Sequence, residues 1–263
     1  RQHEPLELPV VFLTGLVDEA SQARCWEAGG NDFLSRPVSE LALALHVGNL
    51  VRLKKQHALL ARRAEELETT VAERPAELRH SQEEAIFRLA TAVELRDGIT
   101  ARHGVRVGCI AGIIAAELGF TPARCDELRL ATTMHDVGKV AIPDRILMKA
   151  GKLSHGEYEV MKRHAIIGEK IMGSSTSQLL SLAATVAGSH HERFDGSGYP
   201  RGLRGTKIPL EGRIAAVADV FDAISTARHY RAAMPLERSL GILADGRGTL
   251  FDPQVHDAFT ARL

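Results

Sequence analysis

Seven side chains between residues 103 and 219 have the chemistry of metal ligands. They are His103, His135, Asp136, His164, His190, His191 and Asp219. The set combines five of the chain's twelve histidines with two aspartates and contains no cysteine. Nitrogen and oxygen ligands without thiolate suit iron, manganese, nickel, cobalt or zinc. A lone histidine is more often a core or surface residue, so it is the combination that predicts a metal site.

Two of these residues, His135 and Asp136, are adjacent. Successive residues on a helix point about a third of a turn apart, so both side chains cannot aim squarely at one ion. The carboxylate can instead bridge two ions, and helix bundles build di-metal sites from side chains that project inward. Lys139 follows Asp136 by three residues on the same helix face, where its ammonium could meet a substrate phosphate. The alternative for Lys139 is an exposed cation at the helix end near Pro143.

The elements that must position these residues are mostly helical. Beyond residue 84, the spacing of apolar residues predicts seven helices, with Gly and Pro between them. We expect them at residues 84–96, 101–118, 122–137, 155–173, 177–191, 210–226 and 235–245. The alternating pattern of a long strand is missing, so this region is predicted to be all-α.

The first forty residues have a different pattern. Leu8 to Thr14 form an apolar, β-branched run that predicts a buried strand, followed by a helix at 18–28 and a second strand at 32–34. This order resembles the second half of a response-regulator receiver domain, with Thr14 at the switch threonine and Arg36-Pro37 where that family has Lys-Pro. We expect a partial receiver at residues 1–40, whose phosphoacceptor aspartate would lie before residue 1. The alternative is a small βαβ cap.

Residues 41–84 are predicted to form a helical linker. Apolar residues at spacings of three and four, including Leu53, Leu60 and Leu67, form a stripe of the coiled-coil type. Such a stripe favours a homodimer formed through this helix. Pro75 lies inside the run and removes a backbone donor, so the helix is expected to kink or break there.

Composition limits the class of partner. The 263 residues contain 33 Lys and Arg against 33 Asp and Glu, so zero net charge gives no reason to expect nucleic acid or an anionic membrane. The longest apolar stretch, Leu41 to Leu53, is interrupted by polar residues and is too short to span a bilayer.

Three widely spaced cysteines favour a reducing cytoplasm as the location of the protein. The chain starts at Arg1 and its first Met is Met134, so the possibility of an upstream signal peptide or membrane segment stays open.

Several motifs, taken together, resemble the HD-GYP family of bacterial cyclic dinucleotide phosphodiesterases. They are His135-Asp136, His190-His191-Glu192, Asp195-Gly196-Ser197-Gly198-Tyr199-Pro200, Ala218 to Ala223 and Arg228 to Arg231, in the family order. The probability that so many motifs agree by chance is very small. The resemblance implies a mainly α protein, with an HD-type helical bundle at residues 85–263 that works as a metal-dependent phosphohydrolase.

The resemblance also implies a centre of two divalent transition metal ions, such as Fe, Mn or Ni. One ion would be held by His103, His135, Asp136 and Asp219. Asp136 would bridge to a second ion held by His164, His190 and His191. A hydroxide shared by the two ions would attack phosphorus, and Lys139 would neutralise the developing charge.

Some family members hold a third ion through a Glu four residues before the first His. Here that residue is Ile99, which cannot coordinate, so two ions are expected, with Glu94 and Asp97 as alternative ligands to a third. Among residues facing the substrate, Tyr199 is expected to offer its ring and hydroxyl from the glycine-rich loop. Asp222, one turn after Asp219, is expected to orient a ligand.

Arg228 and Arg231 are spaced to engage phosphate or a guanine edge, or else form a solvent-facing pair. The leading hypothesis is a cytoplasmic phosphodiesterase that hydrolyses cyclic di-GMP to pGpG and onward to GMP. One alternative is a broader HD phosphohydrolase. Another is a module that senses cyclic di-GMP, or docks a diguanylate cyclase, with little turnover. The metal's identity and its redox dependence stay open.

Overall fold

The computed structural model describes residues 8–15, 18–96, 102–227 and 233–262. The chain divides into two units, Arg1–Arg79 and His80–Leu263. The three segments expected from the sequence, 1–40, 41–84 and 85–263, stay a prediction. Among the described helices, none combines the length and apolar character needed to cross a bilayer.

The first unit opens with a strand, a helix and a second strand. They are β1 (Val11–Thr14), α1 (Glu19–Glu27) and β2 (Asp32–Ser35). The strands pair in parallel, with Val11 opposite Asp32 and Thr14 opposite Ser35. Asp18 caps α1 by accepting a hydrogen bond of 2.7 Å from the Ser21 amide, as a helix N-terminus requires. The predicted order of elements is therefore present, although the first strand begins at Val11 rather than Leu8.

One long helix follows. α2 (Glu40–Arg96) contains 57 residues and is helical through Pro75, so the break predicted there is wrong. Leu50 is buried, whereas Leu53, Leu60 and Leu67 are 48%, 64% and 63% exposed. The apolar stripe read from the sequence is therefore mainly a surface feature of this helix.

The second unit is helical, as predicted. After the end of α2 it contains α3 (His103–Glu117), α4 (Pro122–Thr133), a 3₁₀ helix (Val137–Ala141), α5 (Asp144–Leu147), α6 (His155–Met172), α7 (Gln178–Ala187), a 3₁₀ helix (Gly205–Lys207), α8 (Leu210–Ser225), α9 (Leu236–Asp245) and α10 (Pro253–Thr260). The all-α prediction is confirmed. The two 3₁₀ helices, α5 and α10 were not predicted, because elements this short carry little periodic signal.

The core of the second unit combines alanines with larger apolar residues, and glycines at helix contacts let the helices pack closely. α3 faces α4 with Gly104, Gly108 and Gly112, one per turn. A methyl group at Gly108 would lie 2.4 Å from the Arg129 carbonyl oxygen. This close approach brings the first residue of α3, His103, to a ring-centroid distance of 5.4 Å from His135, just after α4.

A second close approach joins the 3₁₀ helix Val137–Ala141 to α6. A methyl group at Gly138 would lie 1.9 Å from the carbonyl oxygen of His164 and 2.5 Å from the Gly168 amide nitrogen. Both neighbours are backbone atoms of a helix and cannot rotate away. Gly138 is therefore what lets the chain after Asp136 lie directly against the middle of α6.

This packing predicts the effect of a single methyl group. Gly138→Ala should lower the free energy of unfolding by about 3 kcal/mol or more, at the upper end for overpacked sites. The matched control is Gly241→Ala in α9, where a methyl group meets no atom within 4 Å. Gly241→Ala should raise stability by up to ~1 kcal/mol, because alanine favours a helix. Urea unfolding followed by circular dichroism measures both, and equal stabilities would contradict the packing described.

Candidate metal centre

The structure brings all seven predicted ligands together from five places in the fold. His103 begins α3, and His135 and Asp136 follow directly after α4. His164 lies in the middle of α6, His190 and His191 follow α7, and Asp219 lies in α8. The residues span more than a hundred positions of sequence, so only the tertiary fold can assemble them.

The seven side chains form two groups. The first contains His103, His135 and Asp219, and the second contains Asp136, His164, His190 and His191. Within each group, one possible ligand atom per residue lies within 4.8 Å of the others. The resemblance implies the same division of the five histidines and Asp219, and it assigns Asp136 to both ions, whereas here Asp136 falls in the second group.

Asp136 lies between the two groups. Its Oδ2 atom is 3.3 Å from Nε2 of His135, in the first group. Its Oδ1 atom is 3.3 Å from Nε2 of His164 and 3.8 Å from Nε2 of His190, in the second. Each carboxylate oxygen therefore faces a different group, which is the arrangement a bridging ligand needs.

Asp219 completes the first group from α8. Its Oδ1 atom lies 3.2 Å from Nε2 of His103 and 3.9 Å from Nε2 of His135. The two imidazoles thus present their Nε2 atoms to one carboxylate oxygen. An ion in this group would meet two nitrogens and one oxygen, with Asp136 beside it.

Backbone carbonyls orient three of the imidazoles. In each case Nδ1 lies close to the carbonyl oxygen three residues earlier. The pairs are His135 with Thr132 at 2.9 Å, His164 with Met161 at 2.8 Å and His190 with Ala187 at 2.9 Å. A carbonyl can only accept, so Nδ1 carries the proton and Nε2 keeps its lone pair for a metal.

His103 is oriented by a carboxylate instead. Its Nδ1 atom lies 2.7 Å from Oδ2 of Asp222. Arg106 donates to both oxygens of Asp222, from Nε at 2.6 Å and from Nη2 at 2.9 Å. Asp222 therefore lies behind the candidate ligand His103, at the position that the predicted orienting role requires, and Arg106 holds Asp222.

The electrostatics of the site favour neutral imidazoles in the second group and ionised carboxylates in both groups. Burial lowers the pKa of His191 to about 4 and that of His190 well below its usual value. Burial alone would raise the pKa of Asp136, but the nearby Lys139 and His135 lower it well below the usual range. Divalent metals bind the deprotonated forms of both residue types, so most of this ligand set is ready to bind.

In two of the imidazoles the neighbouring carboxylates outweigh burial and raise the pKa. Burial opposes the charged form of His135, but Asp136 and Asp219 raise its pKa above the usual value. In His103, hydrogen bonds to Asp219 and Asp222 outweigh burial and raise the pKa to about 9. In the metal-free protein at neutral pH, the charged His103 ring donates from Nδ1 to Asp222 and from Nε2 to Asp219. A metal ion that binds Nε2 must displace the proton on that nitrogen.

Two buried polar atoms show that the ligand set fits a metal. Nε2 of His135 and Oδ1 of Asp136 are buried without a hydrogen bond of standard geometry to any described residue. Leaving such atoms unpaired costs about 1–3 kcal/mol each. Nε2 of His135 faces Asp219 of the first group and Oδ1 of Asp136 faces His164 of the second, so an ion in each group would satisfy them.

Lys139 lies at the edge of the centre. Its Nζ atom is 2.8 Å from Oδ2 of Asp136, and its side chain is only 15% exposed. The alternative of an exposed cation at a helix end is therefore wrong. The ammonium is held beside the carboxylate that joins the two groups.

Glu94, the alternative ligand for a third ion, has a different role. Its carboxylate accepts hydrogen bonds from the backbone amides of Arg102 at 2.9 Å and Gly104 at 2.5 Å. Both oxygens therefore hold the start of α3, next to His103, and this agrees better with two expected ions than with the alternative of a third ion bound by Glu94. Asp97 and Ile99 lie outside the described residues.

The loop after α7 forms a wall beside the second group. The ring of Tyr199 lies 4.7 Å from that of His191, with an angle of 35° between the planes. Burial raises the pKa of the Tyr199 phenol, so its hydroxyl stays protonated and can donate a hydrogen bond. Arg228 and Arg231, the other residues expected to meet the substrate, lie outside the described residues.

Sequence reasoning missed how this loop is held. Glu192 is 3% exposed, and its two carboxylate oxygens accept hydrogen bonds from the amides of Arg201 at 2.8 Å and Leu203 at 2.9 Å. Because Glu192 directly follows His191, one short segment carries two candidate ligands and the anchor of the loop. The only feature of the sequence that pointed to Glu192 was its position directly after two histidines.

Comparison with known proteins agrees with this geometry. The family model for the HD domain matches residues 52–255. The cyclic di-GMP phosphodiesterase response regulator RpfG of Xanthomonas campestris is 41% identical over 252 residues, which cover 96% of this chain and 67% of that protein. A cyclic di-GMP phosphodiesterase of Thermotoga maritima is 40% identical over 265 residues, which cover 95% of this chain and 70% of the relative.

A solved structure shows the same fold. A cyclic GMP-AMP specific phosphodiesterase of Vibrio cholerae superimposes with a TM-score of 0.54 at 20% identity, covering 68% of this chain and 48% of that one. The chain therefore belongs to the HD domain family. Its His190-His191 pair and Gly198-Tyr199-Pro200 loop fit the HD-GYP type.

The contact between His103 and Asp222 predicts how metal affinity depends on a residue that is not itself a ligand. Asp222→Asn should weaken binding of Mn²⁺ by about 10- to 100-fold, the usual loss when the partner of a ligating histidine is changed. Asp257→Asn is the control, because Asp257 pairs with Arg247 at the surface. Calorimetric titration of metal-free protein measures both variants. Equal affinities would show that Asp222 does not orient a ligand.

Proposed function

We propose that this chain is a metal-dependent phosphodiesterase that hydrolyses cyclic di-GMP. The observation that carries the proposal is the position of the Asp136 carboxylate, with one oxygen facing each ligand group. Two divalent ions held by the groups would supply positive charge and lower the pKa of a water molecule for in-line attack at phosphorus. Five histidines and two aspartates would hold these ions.

The remaining residues of the site handle the substrate in this proposal. Lys139, whose Nζ lies 2.8 Å from Asp136, is close enough to the centre to bind an oxygen of the scissile phosphate. Tyr199 offers its ring and hydroxyl from the loop anchored by Glu192. Arg228 and Arg231 are proposed to bind phosphate or guanine. The products would be pGpG and then GMP.

The comparisons support this class of substrate. Two relatives that align with nearly the whole chain are named cyclic di-GMP phosphodiesterases. A relative of Vibrio cholerae that is 40% identical over 179 residues is named a 3′3′-cGAMP-specific phosphodiesterase, so 3′3′-cyclic GMP-AMP is the second candidate substrate. A module that only senses cyclic di-GMP, or docks a diguanylate cyclase, is less well supported because the ligand set is complete.

The proposal predicts the outcome of removing ligands. His135→Ala and Asp136→Ala should each lower turnover of cyclic di-GMP by more than about a hundredfold, since even the partners of ligands are worth 10- to 100-fold. The measurement is chromatography of product formed by the full chain with Mn²⁺ or Fe²⁺. A chelator should abolish activity, and added metal should restore it.

His80→Ala is the matched control, because this histidine is exposed on α2. It should keep wild-type turnover. Unchanged turnover in His135→Ala would refute the assignment of the site. Binding of cyclic di-GMP without product, in metal-loaded wild type, would favour the sensing module.

The exposed stripe on α2 supports a homodimer. Leu53, Leu60 and Leu67 recur every seven residues and are about half to two thirds exposed, which is the heptad spacing of a coiled-coil seam. Sedimentation equilibrium should find a dimer at micromolar concentration, and Leu60→Lys should shift it toward monomer. Leu89→Lys, at an exposed position of α2 outside the heptad series, is the control. A wild-type protein that is monomeric throughout would contradict the dimer.

A further inference from the structure

Two tyrosine rings, Tyr199 and Tyr158, meet at an angle next to the metal centre and form a corner. The proposed mechanism uses only Tyr199. Tyr199 contacts His191 on one side. On the other, its ring centroid lies 6.3 Å from that of Tyr158 on α6, and the two ring planes make an angle of 80°. The rings of His191, Tyr199 and Tyr158 thus form a continuous aromatic surface that leads outward from the second ligand group.

An ammonium group lies in this corner. Nζ of Lys162, one turn after Tyr158 on α6, is 5.4 Å from the centroid of the Tyr158 ring and 5.8 Å from that of Tyr199. It also pairs with Glu159 at 2.6 Å. The Glu159 side chain is 47% exposed, and such surface pairs contribute little. A phosphate can therefore replace Glu159 as the partner of Lys162.

The outer part of the corner is accessible. Tyr158 is 45% exposed, although it is a large aromatic residue whose ring could have been buried. An exposed ring beside a cation suits a ligand with a flat base and a negative charge, because bases stack on aromatic side chains and ammonium groups bind phosphate. The corner lies one ring away from the candidate ligand His191, so such a ligand can reach the corner and the centre together.

We propose that Tyr158 and Lys162 form a subsite for the part of the cyclic dinucleotide that is not being cleaved. A purine base stacks on the exposed ring of Tyr158, and the second phosphate meets the ammonium of Lys162. The inference rests on the proposed function, because a cyclic dinucleotide carries two bases and two phosphates and only one phosphate can lie at the metals. The other phosphate then lies away from the metals, and its negative charge needs a partner in the protein.

The subsite predicts a change in KM rather than in kcat. In the full chain loaded with Mn²⁺, Tyr158→Ala should raise the KM for cyclic di-GMP by about 5- to 100-fold, the range expected when one base loses its aromatic platform. Its kcat and its metal content should stay close to wild type. Tyr158→Phe keeps the ring and should keep the wild-type KM.

Lys162→Met tests the second half of the subsite. It should raise the KM by about 3- to 10-fold, as for loss of a hydrogen bond to a charged group at an exposed site. The KM of this variant should also depend less on salt concentration than the KM of wild type, because one charge pair fewer is screened.

A second substrate separates a subsite from a general defect. Bis(4-nitrophenyl) phosphate has one phosphate and no purine, so Tyr158→Ala and Lys162→Met should hydrolyse it at the wild-type rate. A wild-type KM for cyclic di-GMP in both variants, or equal losses on both substrates, would overturn the subsite alone. A wild-type enzyme that cleaves bis(4-nitrophenyl) phosphate but no cyclic dinucleotide would overturn the proposed function and the subsite with it.

Discussion

The metal centre depends on one constraint, the orientation of buried imidazoles. A histidine can offer Nε2 to the interior only if its Nδ1 proton has a fixed acceptor on the other side. For His135 and His190 that acceptor is a carbonyl in the last turn of the preceding helix, at 2.9 Å in both cases. The last four carbonyls of a helix have no partner within it. Placing a histidine directly after a helix therefore satisfies one of these carbonyls and selects the tautomer that can bind metal.

Charge balance imposes the second requirement. Asp136 and Asp219 are mostly enclosed, and a buried carboxylate is tolerated only when it is paired. Lys139 and the proton on His103 provide part of the compensation in the metal-free protein. Two divalent ions would provide the rest, so a count of ionisable residues understates the positive charge available to a phosphate ligand. The zero net charge of the chain is thus compatible with an anionic substrate.

The sequence allowed the helices of the second unit and the seven clustered residues to be predicted, because both leave local signals. Apolar periodicity marks a helix, and the pairs His135-Asp136 and His190-His191 stand out as motifs. The contacts that orient the site leave no such signal. Asp222 holds His103 across 119 residues, and Glu192 binds amides that become neighbours only after the loop folds back. Gly138 likewise looks like any turn glycine until α6 is packed against it.

The end of α2 shows how far the site extends beyond its ligands. Glu94 binds the amides at the start of α3, which carries His103. Two residues later, Arg96 donates to the carbonyls of Val140 at 2.6 Å and Ile142 at 3.2 Å, at the end of the 3₁₀ helix that carries Lys139. One helical turn therefore contacts both the segment that begins with His103 and the segment that carries Lys139. Because these contacts go to backbone atoms, they fix whole segments rather than single side chains, and the positions of His103 and Lys139 are tied to the last turn of α2.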